Sequence, residues 1–130
     1  PLAEQTEKKL VDKFIQRKNI YNKDIEIESD SIRLTFYDNG DIDGDSISVF
    51  LNQKPVLANQ QLSSRSLNVY VALDTLLDVN EISMFADNLG RIPPNTALVI
   101  VSDGVNRYEL YLSSSLTQNG AVRLKRKKKK

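Results

Sequence analysis

From Ile25 onward, apolar residues recur at every second position within short runs, and those runs are separated by clusters of Asn, Asp and Gly. A two-residue period is the signature of half-buried strands, because successive side chains of a strand point to opposite faces of its sheet. Ile25 and Ile27 alternate with acids, and Ile32, Leu34 and Phe36 alternate with Ser31, Arg33 and Thr35. Ser46 to Leu51, Leu67 to Leu73, Glu81 to Ala86, Ala97 to Val101 and Arg107 to Leu112 read the same way, and Ala121 to Leu124 closes the set. Pro55 to Ala58 is predicted as a short edge strand, since proline cannot donate to an interior ladder. Between the runs lie the turn formers Asn39-Gly40, Asp43-Gly44, Asn52-Gln53, Asn88 to Gly90, Asp103-Gly104 and Asn119-Gly120.

Short strands at this spacing without intervening helices predict an all-β fold, an antiparallel β-sandwich of Ig-like type with seven to eight strands. Ile47, Val49 and Leu51 are expected on one inner face, opposite Val69, Val71 and Leu73. Apolar residues at both parities, Leu98 and Ile100 against Val99 and Val101, make Ala97 to Val101 a central strand buried on both sides. The period differs only at the start. There Leu2, Leu10, Val11, Phe14 and Ile15 are spaced near 3.6 among Glu and Lys, which predicts a short amphipathic helix over 4–17. The expected organisation is a helical or linker segment at 1–24, a sandwich at 25–124 and a basic tail at 125–130. The chain opens on Pro1, so its natural start is expected to have been removed, together with any targeting signal.

With 130 residues the chain is long enough for one ordinary core. No apolar run approaches the roughly 20 residues of a membrane-spanning helix, so no membrane span is expected. The chain has no His and no Cys, which excludes His-based triads, thiol nucleophiles, disulfides and Cys/His zinc sites. Chemistry is left to Asp, Glu, Ser, Lys and Tyr.

The net charge of +1 conceals an asymmetry: residues 123–130 hold seven of the 18 basic residues and no acid, leaving 11 basic residues against 17 acidic ones, or −6, in 1–122. An acidic body repels phosphate backbones, and the tail lacks the interleaved aromatics of a nucleic-acid binder. No nucleic-acid partner is expected, and the tail reads as a solvated terminus.

The densest chemistry is the run from Asp38 to Asp45, with four carboxylates in eight residues. Charges this close must be offset by solvation, by backbone N–H donors or by a cation. Read from Asn39, the spacing Asn-x-Asp-x-Asp-Gly matches the opening of an EF-hand-type calcium loop, but the twelfth position, a bidentate Glu in that loop, is Phe50 and the flanks read as strands. Two readings stand. In one, the turn is held by Asx hydrogen bonds to nearby backbone. In the other, calcium is a cofactor held by Asn39, Asp41, Asp43, Asp45 and Asp87, with Asn88 and Asn95 as further donors. The run Asp87 to Thr96, with consecutive Pro93 and Pro94, is a stiff connection leading into the central strand.

The stretches Tyr37 to Asn52, with its "YDNG-IDGD" pattern, Ala86 to Ala97, with "NLG-IPPNTA", and Arg107 to Leu110 resemble a bacterial β-sandwich module of secreted and lipid-anchored (lipoprotein) envelope proteins. The resemblance covers residues 25–124. It implies an exported, cell-envelope location and an all-β fold, and carries over no activity and no site residues.

Function is therefore expected to be non-catalytic: a binding or accessory module that engages a protein or a glycan at the cell envelope, with the Asp-rich turn holding loop shape. Tyr37, Tyr70, Tyr108 and Tyr111 are candidate contact residues, since tyrosine is amphipathic. One alternative is a purely structural scaffold domain. The other is a carboxylate glycoside hydrolase using Asp43 and Asp87, which requires two carboxyls about 5 to 9.5 Å apart across a cleft.

Overall fold

The computed structural model describes residues 2–38, 45–88 and 95–127, with side chains from Glu7 onward. A helix, α1 (Leu2–Gln16), precedes nine strands: β1 (Lys18–Ile27), β2 (Ser31–Asp38), β3 (Ser46–Leu51), β4 (Lys54–Gln61), β5 (Leu67–Ala72), β6 (Val79–Asn88), β7 (Asn95–Ser102), β8 (Arg107–Ser114) and β9 (Gln118–Arg126). They form two sheets, one of five strands in the order β1-β9-β6-β3-β4 and one of four in the order β5-β2-β7-β8.

The inward parities meet in a single core, as the alternation predicts. Ile47 and Val49 of β3 share it with Val69 and Val71 of β5 and with Leu73, while Leu51 packs against its margin. Leu34, Phe36, Ile82, Met84, Val99, Leu112 and Leu124 are fully buried within the sandwich. Each such side chain contributes about 1.5 to 3 kcal/mol on removal from water, the main term favouring this fold.

β4 lies at a sheet edge, where Pro55 is tolerated. The β3–β4 hairpin turns on Asn52 and Gln53, with φ of 49° and 72°, the left-handed pair that a two-residue hairpin of matching twist requires.

Besides the strand count, nine among the described residues rather than seven to eight, two features depart from the sequence reading. The sandwich is not wholly antiparallel, because β1 pairs with β9 in parallel. The strand also begins at Lys18, where the run Lys18 to Asp24 lacks alternation. A strand paired on one side only and half-exposed has little need of a strict apolar face. The second departure concerns which strands are buried on both faces. In β7, Leu98 remains half-buried while Ile100 is nearly buried, so the expectation for that strand holds for part of it. β3 and β6 are enclosed more completely, because α1 covers their outer side.

Candidate functional site

The residues singled out in the sequence divide between two places. Asn39, Asp41 and Asp43, the residues of the expected calcium shell and of the expected Asp43–Asp87 pair, lie outside the described residues. Asp45, Asn88 and Asn95 gather at one end of the sandwich, where β3 begins, β6 ends and β7 begins. Asn95 fixes this junction: its Nδ2 donates to the carbonyls of Ser46, at 3.2 Å, and of Asn88. The Asn88 side-chain oxygen accepts from the Ser46 N–H at 3.2 Å, and the Asp45 carbonyl accepts from Leu62 N–H at 2.8 Å. Asn95 is wholly buried, and among the described residues its Oδ1 has no hydrogen-bond partner. Leaving a buried amide oxygen unmatched costs about 1 to 3 kcal/mol, which makes this atom an available ligand for a donor or a cation. Among the described residues no three acidic side chains converge closely enough to hold a metal ion.

Asp87 is directed elsewhere. In the β3–β6 ladder Ser46 faces Asn88 and Ile47 faces Ala86, so Asp87 is the extra residue of a bulge. In the β3–β4 ladder Ile47 faces Gln60 and Val49 faces Leu57, so Ala58 and Asn59 together oppose Ser48. Two bulges therefore flank Ser48, and bulges re-aim side chains. Here they converge on one carboxylate. Ser48 Oγ donates to both Asp87 oxygens at 2.9 and 3.1 Å and accepts from Asn59 N–H at 3.1 Å. With its amide nitrogen facing the carboxylate, Asn59 adds donors 3.2 Å from both oxygens. Its φ of 52° is one that asparagine accepts more readily than most residues.

α1 closes over this group. Phe14 stacks on Phe50 with ring centroids 4.0 Å apart, and Phe50 meets Phe85 edge-on at 6.0 Å, forming a small second core with Leu10 and Val11. The Arg17 guanidinium lies 3.7 Å above the Phe85 ring and donates to the Ala86 and Ser115 carbonyls at 2.7 and 3.2 Å. Lys9, Lys13, Arg17, Asn59, Phe85 and Asp87 line a recess of about 250 Å³. Burial pushes the Asp87 carboxyl above its ordinary range, opposed by the Ser48 hydrogen bond and by the charges of Arg17 and Lys13. Burial likewise lowers Arg17, opposed by Asp87. This arrangement fastens the helix to the sheet. Ser48 is fully buried, so its hydroxyl is inaccessible to a substrate.

Of the remaining candidates, Tyr37, Tyr70 and Tyr111 stand on the outer side of the four-stranded sheet, whereas Tyr108 packs against the core. Tyr70 is 76% exposed and Tyr111 58% exposed, whereas Tyr37 and Tyr108 are half-buried and Tyr108 donates to the Glu26 carbonyl at 2.8 Å. Across β5, β2 and β7, Tyr70 stands opposite Arg33, and Arg33 opposite Ser102. Sequence reasoning named the tyrosines but missed Arg33, which reads there only as the polar member of an alternating run.

No family model matches the chain, and no curated protein or solved structure is significantly similar to it.

Proposed function

We propose that the chain is a non-catalytic binding module of the cell envelope that engages a glycan or a protein through the outer side of its four-stranded sheet. The observation that carries this reading is the inequality of the two outer sides: α1 packs Phe14 over Phe50 and Phe85 on one, while the other exposes Tyr70 and Arg33 beside an open groove. A non-catalytic role is supported by the commitment of the buried Ser48 hydroxyl to Asp87, a bond that ties β3 to β6. An exported location follows the resemblance of the "YDNG-IDGD" and "NLG-IPPNTA" stretches to envelope modules, and the Ig-like assignment is supported by two facing sheets whose strand connections cross between them. Retention of the protein on arrays of glycans and envelope proteins, compared with its Tyr70→Ala variant, tests the reading. Saturable retention lost in the variant is expected; self-association alone, seen by sedimentation, would instead identify a scaffold domain.

A second reading concerns the opposite, Asp-rich end. The buried and unmatched Oδ1 of Asn95 favours calcium as a structural ion there, held with Asp45 and with Asn39, Asp41 and Asp43 of the turn. Asp87 belongs to such a shell only if its carboxylate leaves Ser48. Millimolar calcium is then expected to raise the melting temperature and chelator to reverse it, since a ligand of the folded state stabilises by mass action. An unchanged melting temperature leaves the turn as a hydrogen-bonded structure.

A further inference from the structure

Arg33 and Tyr70 are neighbours on the outward side of the four-stranded sheet, directly paired across β2 and β5. Both are exposed, and among the described residues the Arg33 side chain has neither an ion-pair nor a hydrogen-bond partner. They border a groove of about 470 Å³ whose wall continues through Ser31, Ser102, Asp103 and Gly104. A small-ligand site of ordinary size occupies about 300 to 1,000 Å³, so the groove holds a few sugar rings or a short peptide segment.

The charges of the groove are unequal. Asp103, the one carboxylate among its described lining residues, is buried and committed to the backbone: Oδ2 accepts from Glu28 N–H at 2.8 Å, and Oδ1 from Val105 and Asn106 N–H at 2.9 and 2.5 Å. Burial would raise this carboxyl, but those donors outweigh it and hold the group below its ordinary range, so it stays an internal anion turned toward its own loop. The guanidinium of Arg33 is thus left facing the groove without a counterion. Guanidinium forks match carboxylates in a bidentate manner, which a point-charge ammonium does not reproduce. An exposed tyrosine ring offers a flat apolar surface with a polar tip, on which the C–H face of a sugar ring can lie. The hydroxyls of Ser31 and Ser102 suit ligand hydroxyls. A protein partner generally needs about 800 Å² per side, and the apolar part of this groove, from Ile32, Val71 and Ala72, is a small floor beneath a polar rim of serine and arginine.

We propose that this groove binds an acidic glycan, with the ring of a uronic-acid unit on Tyr70 and its carboxylate on Arg33. The proposal rests on the assignment of this side of the sheet as the binding surface and adds the ligand class. The net negative charge of the body does not oppose it strongly, because at physiological ionic strength fields fade over about 8 Å. Arg33 acts within that distance.

The test is calorimetric titration of the full chain with tetragalacturonate, cellotetraose and a tetraglutamate peptide, repeated with Tyr70→Ala, Arg33→Gln and Arg33→Lys. Tetragalacturonate is expected to bind saturably, more weakly as salt rises. Tyr70→Ala and Arg33→Gln should each reduce affinity by about tenfold or more, with Arg33→Lys in between. Both positions are exposed, so unchanged melting temperatures confirm that the variants fold. Equal binding of cellotetraose, with Arg33→Gln silent, overturns the acidic class while leaving the sheet surface as a binding site. Preference for tetraglutamate overturns it in favour of an acidic peptide. Tetragalacturonate binding that neither substitution weakens, or no binding at all, overturns the site; array retention that still depends on Tyr70 would then preserve the broader reading.

Discussion

The two sheets present their outer sides to different surroundings, and the difference starts with residue type. On β3 and β6 the outward positions hold Ser48, Phe50, Ser83 and Phe85, and a helix lies over them; on β2 and β5 they hold Arg33, Thr35, Asn68 and Tyr70, and no described element does. Phenylalanine has no polar group to satisfy and gains from cover, whereas tyrosine and arginine keep their polar ends in water. The covered side spends its polar residues on internal pairing, with Asp87 held by Ser48 and Asn59. The open side leaves Arg33 uncommitted.

The largest break in this contrast is expected from Phe50→Ala. Phe50 is fully buried between Phe14 and Phe85, so truncation should cost about 3 to 5 kcal/mol in urea unfolding and loosen α1, visible as faster amide exchange in the helix. Close packing elsewhere makes a second, smaller effect. A Cβ at Gly120 would meet the Ser113 backbone oxygen at 2.8 Å and nitrogen at 3.0 Å, so Gly120→Ala should destabilise by about 1 to 3 kcal/mol in the same assay.

Two carboxylates sharpen the comparison through pH, because their shifts have opposite signs. Asp103, near the open groove, has a folded-state value below its unfolded one; its contribution is present above the unfolded value and is lost as pH falls through the folded one. Asp103→Asn should therefore cost about 1 to 3 kcal/mol at neutral pH and flatten the acid limb of a stability profile. Asp87, under the helix, has a folded value above its unfolded one. The folded state then binds more protons across the interval between the two, so this group lowers stability as pH rises through that window. Asp87→Asn should remove that slope, measured by denaturation at a series of pH values in moderate salt. Smallest is the effect of Tyr70→Ala on folding, within about 0.5 kcal/mol, although it should abolish ligand retention.

How far these regions could be read from the chain alone follows from the same contrast. Inner faces were legible because burial enforces strict alternation: Ile32, Leu34 and Phe36, and Ile47 and Val49, point where their spacing predicts. The helix was legible through Leu10, Val11 and Phe14, but Ile15, counted on its apolar side, is 61% exposed. That the helix docks on β3 and β6 was not legible, because Phe50 and Phe85 look like ordinary members of strands until both are seen to face one way. The bulges at Asp87 and Asn59 also escaped, since a single inserted residue changes register without changing composition. Asp87 is visible as a carboxylate near a turn, but its attachment to Ser48 depends on both bulges at once. Arg33 lacks any motif, and that its side chain has no ion pair among the described residues is visible only in its three-dimensional placement.

The parallel joining of β1 to β9 also carries a consequence for how the molecule comes into being. Among the described residues β1 borders no strand except β9, which lies far along the sequence from it. During synthesis β1 therefore has no strand to pair with until Gln118–Arg126 has been made, about a hundred residues after it. Long-range pairing of this kind slows folding, and a nascent chain halted before Gln118 would display an unfilled slot beside β6 to which another copy's strand could adhere.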